Sequence, residues 1–199
     1  MPEPVINPRA MRRFLTELSN PWDAHNRFHF RFIREPYQRH IANFAPHAWD
    51  EMMDHLMKMN KTHNVYVSAN PVPDDAPHSP SDEDIKCAHF AFVDADDGEQ
   101  TRRARSFNSF VPHMETITGT KPSERIHRWY KFDQPMTDMK MWSQLQKRLA
   151  RTMQTDATVC NPSRLIRVAG TISYPSPSKI ERKYIIEATT LSVGGCHVD

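Results

Sequence analysis

Cysteine is scarce in this sequence and placed for no staple. The three, Cys87, Cys160 and Cys196, are odd in number, far apart and contain no C-x-x-C pair. That excludes a zinc knuckle or disulfide scaffold and fits reduced thiols in the cytoplasm. Long apolar runs are missing too. No window approaches the roughly 20 apolar residues of a membrane span, and the start, Met-Pro-Glu-Pro-Val-Ile-Asn-Pro, has neither the charged beginning nor the apolar stretch of a secretion signal. A cytoplasmic protein with no membrane partner is expected. No internal repeat, low-complexity tract or clear linker divides the chain, and the histidines show no H-E-x-x-H or other ligand spacing.

The chain has no large excess of one charge, at +2 overall, but the charges are unevenly spread. Residues 1–99 carry 10 Lys+Arg against 16 Asp+Glu, a net −6, and residues 100–199 carry 16 against 8, a net +8. A nucleic-acid enzyme that holds metal with one part and phosphate with another could show such a split, as could a surface on which folding intermixes the charges. A domain of 199 residues buries roughly 70% of its unfolded surface, so one domain over 1–199 is expected, with an N-terminal αβ part at 1–60 and a core at 61–190.

What is present is strong periodicity. Asn7-Pro8 forms a cap and first-position pair before Met11, Phe14, Leu15 and Leu18 at helical spacing. In residues 25–34, Phe28, Phe30 and Phe32 alternate with His29 and Arg31, as in a strand with one apolar face. Trp49, Met52, Met53, Leu56 and Met57 mark a helix near 47–60 whose methionines read as core packing. Residues 64–69 predict a short strand, and 70–84, with four prolines among five acidic residues, an irregular surface loop ending in a turn of helix. Residues 87–93 are apolar on both alternating faces, which predicts a central strand covered from both sides. A basic helix near 100–110, a strand pair at 113–118 and 126–132, and an amphipathic helix at 138–154 follow. Asn161-Pro-Ser-Arg-Leu-Ile-Arg-Val-Ala-Gly170 has the cap, first-position proline and terminating glycine of a short helix. A strand near 182–189 closes the domain. The end at Gly194–Asp199, directly after a strand, fits a domain cut from a longer protein.

The chemistry-bearing residues begin at Asp94 and Asp96. Two apart at the end of an apolar strand, they point to one face with Cα atoms about 7 Å apart, and two carboxylates on one side can grip hard divalent cations. A solvated turn with Asp96 or Asp97 capping the next helix reads equally well from the pair alone. A calcium loop does not, because its glycine would fall one residue early and its bidentate glutamate would be Arg105. Arg164 and Arg167, three apart on the predicted short helix, would share a face and suit a triphosphate, or lie exposed in solvent. Asp156, eight residues upstream of Arg164, would add a third carboxylate. His127 shares its strand face with Trp129, where it could donate to a phosphate or serve as a structural group.

Taken in order, an apolar strand ending in Asp94-x-Asp96, a strand with His127 before Trp129, and Asp156 followed by Arg164-Leu-Ile-Arg-Val-Ala-Gly-Thr171 resemble the archaeo-eukaryotic primase (AEP) superfamily. The RepB-like primase and Prim-Pol branch of plasmids and phages is the most similar, and the likeness spans about residues 60–190. The resemblance implies an α/β (α+β) fold, an AEP catalytic core with a mixed, largely antiparallel RRM-like sheet flanked by helices and a packed N-terminal αβ unit. It implies a DNA primase-polymerase, a nucleotidyltransferase joining nucleotides on a template for replication of a mobile element. Asp94, Asp96 and Asp156 would be catalytic ligands of two Mg²⁺ or Mn²⁺ ions, and no zinc is expected. His127, Arg164 and Arg167 would contact the nucleotide. The branch often has serine two residues before the histidine; here Arg125 stands there, with Ser123 two further back, and both are carried as nucleotide-binding candidates. Partners would be a single-stranded DNA template, a primer strand and NTP or dNTP, with a replicative helicase as a further candidate. Arg102, Arg103 and Arg105, the Lys147, Arg148 and Arg151 face, and the Lys179–Lys183 segment with Arg182 are candidate nucleic-acid surfaces. A non-catalytic single-strand-binding module of a replication initiator and a metal-dependent phosphodiesterase or nuclease are the alternative readings.

Overall fold

The structure, a computed structural model, describes residues 3–20, 22–36 and 38–198. Helix α1 (Pro8–Ser19) starts as its Asn-Pro pair dictates: Asn7 is extended, and its side chain accepts from the Ala10 amide at 2.9 Å. Strands β1 (Asn26–Arg34) and β2 (Gln38–Phe44) form an antiparallel pair, with Phe28, Phe30 and Phe32 of β1 fully buried. Helix α2 (Trp49–Met59) buries Met52, Met53 and Leu56. Then come β3 (Asn64–Ser68), β4 (Val72–Pro73), one 3₁₀ turn (Asp82–Asp84), β5 (Ala88–Ala95), α3 (Gly98–Ser106), β6 (Met114–Gly119), β7 (Arg125–Met136) and α4 (Met139–Met153). The chain closes with β8 (Leu165–Arg167), β9 (Ile172–Ser173), α5 (Pro177–Glu181), β10 (Glu187–Ala188), β11 (Thr190–Val193) and β12 (Cys196–His197).

Two sheets organise these elements. The first runs β2-β1-β3-β8 with β4 added on β1, the second runs β12-β11-β6-β7-β5, and β9 pairs with β10 in a small ribbon. The architecture is the expected α+β one, and every strand pairing among the described residues is antiparallel, so the sheets are not mixed. The first sheet does not end at residue 60, since β3, β4 and β8 complete it. Phe90, Phe92 and Trp129 of the second sheet join Phe28, Phe30, Phe32, α1 and α2 in one large core. The opposite face of the second sheet carries Val93, Ala95, Ile126 and Tyr130, packed on Ala104 of α3 and Met153 of α4.

Three expectations change. Strand β5 is covered on both faces but is an edge strand, paired among the described residues only with β7. Its open edge is closed by side chains of α4: Gln146 accepts from the Phe92 amide at 3.0 Å and donates to the Phe92 carbonyl at 3.1 Å, and the Trp142 indole donates to the Phe90 carbonyl at 2.9 Å. An edge sealed in this way can be apolar on both faces without inviting another chain to pair. The segment 161–170 is a turn and a strand, not a helix. Ile166 and Val168 alternate into the core beside the free edge of β3, and burial of those β-branched residues overrides the helical grammar. Gly170 terminates nothing. Its φ is +78°, and a Cβ there would lie 2.4 Å from the Asn7 carbonyl, so glycine is what lets the chain pass against the start of α1. Finally, the strand expected at 182–189 is in strand pairing only from Glu187, behind helix α5.

Candidate active site

The side-chain order along β5 makes the site a polar continuation of the core face. Phe90 and Phe92 are buried, and the next residues on that face, Asp94 and Asp96, open into a cleft of about 340 Å³. His127 of β7 is the cross-strand partner of Asp94, with Nε2 3.4 Å from Oδ1. Its Nδ1 is buried without a hydrogen-bond partner among the described residues. The opposite wall comes from the first sheet: Asn64 and Tyr66 of β3 alternate outward from the buried Val65 and Val67, and Arg164, Leu165 and Arg167 come from β8 and the turn before it. Arg167 is held by hydrogen bonds to Asn64 Oδ1 at 2.5 Å and the Tyr66 hydroxyl at 2.8 Å, and lies over the Tyr66 ring. Arg164, by contrast, reaches the cleft with no hydrogen bond from its guanidinium to protein among the described residues.

A third wall is the segment through β9 and α5, which brings Lys179 and Tyr184 to the cleft. Two asparagines clamp it to the first sheet in the manner of ladder rungs. Asn60 accepts from the Ile172 amide at 2.7 Å and donates to the Ile172 carbonyl at 2.9 Å, and Asn64 does the same with Tyr174 at 2.8 Å in both directions. Lys179, Arg125 and Arg182 gather around the Tyr184 ring.

The electrostatics divide the cleft in two. Burial raises the Asp94 carboxyl, but the charge and hydrogen bond of His127, with Arg164 and Lys179, outweigh it and hold the pKa below the usual value. Asp96 is displaced upward, first by desolvation in the cleft and then by the charges of Asp94 and Asp156, against weaker help from His127 and Lys179. Its surface is nonetheless largely open to solvent. Across the cleft Lys179 is pushed down, first by burial and then by Arg167, with Arg125 and Arg182 adding to the effect and Asp96 opposing it. Acids crowd acids on one side and cations crowd cations on the other.

The predicted residues thus separate. Asp94, Asp96, His127, Arg164 and Arg167 converge on the cleft. Asp156 stands beside it rather than in its lining: its amide approaches the Asp94 carbonyl at 3.4 Å, and its carboxylate accepts from the Thr158 amide and hydroxyl. Among the described residues no three acidic, histidine or cysteine side chains are gathered tightly enough to hold one ion. Asp94 and Asp96 still suit a hard cation, being two carboxylates that repel each other with Asp156 adding to the repulsion. Arg125 lines the cleft, but its guanidinium is used inside the protein, donating to the Lys121 and Ser123 carbonyls and to Glu187. Ser123 contributes that carbonyl and is not in the lining. Arg102 and Arg103 pair with Glu99, and Arg105 with Glu115 and Glu124, so the basic helix α3 carries its own counter-charges. Sequence reasoning placed Lys179 only on an outer surface and missed Asn64, Tyr66 and Tyr184. The alternation of Asn64 and Tyr66 with Val65 and Val67 was the available signal for the first two.

Solved structures share this fold. The AEP domain of the cyanophage S-2L primase-polymerase matches with a TM-score of 0.66 at 21% identity, over 96% of this chain and 93% of that one. Primase RepB′ matches with a TM-score of 0.61 at 16% identity, over 94% of this chain and 56% of that one. The catalytic domain of primase RepB′ in complex with initiator DNA matches at 0.57 and 16%, over 96% and 87%. No protein-family model and no curated protein matches the sequence. The helix-flanked antiparallel sheets are therefore similar in fold to the cyanophage AEP domain and to primase RepB′. No described helix is long and apolar enough to cross a membrane.

Proposed function

We propose that this chain is a DNA primase-polymerase, extending a primer strand on a single-stranded DNA template by nucleotidyl transfer from an NTP or dNTP. One observation carries the reading: a single cleft brings two acids, Asp94 and Asp96, against three cations, Arg164, Arg167 and Lys179, with Asp96 crowded by Asp94 and Lys179 crowded by Arg167. Added cations would relieve Asp96, and an added anion would relieve Lys179. A nucleoside triphosphate with divalent ions supplies both.

Asp94 and Asp96 would hold the ions, with Asp156 joining from the adjacent loop. Mg²⁺ or Mn²⁺ in that position supplies activation of the primer 3′-hydroxyl and neutralisation of the leaving oxygen. The remaining work is positioning and electrostatics. Arg167, already fixed by Asn64 and Tyr66, presents a rigid fork to phosphate oxygens. Arg164 and Lys179 add charge from two other directions, and His127, with Nε2 on Asp94, keeps that carboxylate ionised and oriented. Three cations exceed what one scissile phosphodiester requires, which favours triphosphate use over hydrolysis. The RepB′ catalytic domain solved with initiator DNA supports DNA as the template class.

The test is primer extension with Mg²⁺ or Mn²⁺ and each nucleotide type. Wild type is expected to extend, with Asp94→Ala inactive and Arg167→Ala reduced by about 100-fold in kcat/KM, the loss of a charged bidentate contact. A wild type that extends no template with either nucleotide type rejects polymerase activity. Chelator-insensitive binding of single-stranded DNA alone would then favour the initiator-module reading, and degradation of labelled DNA the nuclease reading.

A further inference from the structure

Arg164 differs from its neighbour in the cleft. Arg167 is aimed by two side-chain hydrogen bonds, whereas the Arg164 guanidinium has none within the described protein. With no hydrogen bond to aim it, its placement depends on its backbone, which closes the turn Asn161–Arg164, with the Arg164 amide donating to the Asn161 carbonyl at 3.1 Å and its carbonyl accepting from the Ala69 amide at 2.8 Å. What holds the turn comes from far along the chain. A single oxygen, Asp82 Oδ1, accepts from the Ser163 amide at 2.9 Å, the Ser163 hydroxyl at 2.6 Å and the Asn161 side chain at 3.3 Å. Asn70, itself only 1% exposed, donates to the Pro162 carbonyl at 2.9 Å from the same loop.

Asp82 is in turn presented by a stiffened element. It opens the 3₁₀ turn Asp82–Asp84, where the Asp84 carboxylate accepts from the Ser81 amide at 2.7 Å and the Ser81 hydroxyl at 2.8 Å. The proline-rich acidic segment is therefore a brace with one end on the Arg164 turn. Burial pushes the Asp82 carboxyl up, but the Ser163 and Asn161 donors outweigh it and leave the pKa below the ordinary carboxylate value, as hydrogen bonding to the charged form requires.

We propose that Asp82 is a positioning residue for nucleotide binding, holding the Asn161–Ser163 turn so that Arg164 projects into the cleft. The inference rests on the nucleotidyl-transfer reading and adds to it a residue outside the cleft. Asp82 touches no reacting atom, so its removal should act on nucleotide affinity and leave the chemical step alone.

Steady-state primer extension with Mn²⁺ tests this. Asp82→Ala is expected to raise the nucleotide KM by about 5-fold with kcat within about 2-fold of wild type, the pattern of lost uniform binding. Asp82→Asn, which keeps an Oδ1 acceptor, should fall between the two. The double variant Asp82→Ala/Arg164→Ala should have the KM of Arg164→Ala alone, because both remove one interaction. Should Asp82→Ala fold poorly, Ser163→Ala removes one of the three donors without touching the acid and should raise KM in the same direction. An active wild type with unchanged KM in Asp82→Ala or Ser163→Ala, or with additive effects in the double variant, overturns this inference and leaves the polymerase reading standing. A wild type that neither extends primers nor binds nucleotide overturns both.

Discussion

At the residue scale, the arginines of the cleft show that lining a site and serving it are different things. Arg125 and Arg164 both border the cleft, yet their surroundings predict opposite phenotypes. Arg125 is 6% exposed, and its guanidinium fills the space over Gly119, where an added Cβ would lie 1.7 Å from Nη2. Its partner Glu187 is 9% exposed and also accepts from the Thr120 amide and hydroxyl. Truncating one member of a buried ion pair leaves an uncompensated charge, which costs about 3–5 kcal/mol; the Thr120 bonds that remain on Glu187 put the expected loss near about 3 kcal/mol. Arg125→Ala should therefore lower the urea midpoint sharply. Arg164→Ala, removing a guanidinium with no hydrogen bond to protein among the described residues, should leave that midpoint nearly unchanged and reduce primer extension. Equal stability losses in the two variants would mean that Arg125 is not the structural member of the pair.

At the element scale, the decisive contact is the one between α4 and the edge of β5. Gln146 is 1% exposed in the middle of an amphipathic helix, a place where a polar side chain needs partners. It finds them in the Phe92 amide and carbonyl, and its side-chain nitrogen also approaches the Val159 carbonyl at 3.5 Å. One amide thus ties the strand that carries Asp94 to the loop that carries Asp156. Gln146→Leu has nearly the same volume but leaves two buried backbone groups of Phe92 unsatisfied, at about 1–3 kcal/mol each. Chemical denaturation should report a loss of that order. Activity should fall further than the residual folded fraction explains, because the spacing of the two acidic segments is no longer set. A Gln146→Leu protein of wild-type stability would show that β5 needs no such clasp. The same contact accounts for an error of reading: a two-sided apolar strand signals a central position only when nothing but another strand can satisfy its edges.

At the scale of the whole molecule, what could be read from the sequence was whatever depends on near neighbours in the chain. Asn7 as a cap, the Phe28–Phe32 face and the Trp49–Leu56 stripe are local patterns, and each appears as expected. Asp94, Asp96 and His127 were visible because alternation fixes which face of a strand they share. Lys179 was not, since its position depends on Asn60 and Asn64 clamping residues more than a hundred positions away. Nor was the β8 strand, whose turn is tied by Asp82 and Asn70 from 81 and 92 positions away. The charge split between the chain's halves is left intact by these ion pairs, because Arg125 is spent on Glu187 and Arg105 on Glu115 and Glu124, all within the basic half. Folding further withdraws several histidines from water, and this sets a prediction for the molecule as a whole. Burial is the leading cause that lowers the pKa of His29, His55, His63 and His89. Neighbouring cations assist, Arg31 and Arg27 at His29, Lys58 at His55 and Lys131 at His89, while Asn43, Glu51 and Asp23 oppose at those respective sites. In the unfolded chain each would titrate near the ordinary value of about 6.5. As pH falls through that value, the unfolded state takes up protons that the folded state refuses, so stability must decrease toward acid and increase toward neutrality. Urea midpoints measured from pH 7.5 down to pH 5 should fall steadily. Replacing the most completely enclosed of the four, His29, whose Nε2 has no hydrogen-bond partner among the described residues, with Gln should flatten part of that slope. A midpoint independent of pH across this range would mean that the histidines are as free to protonate in the fold as out of it.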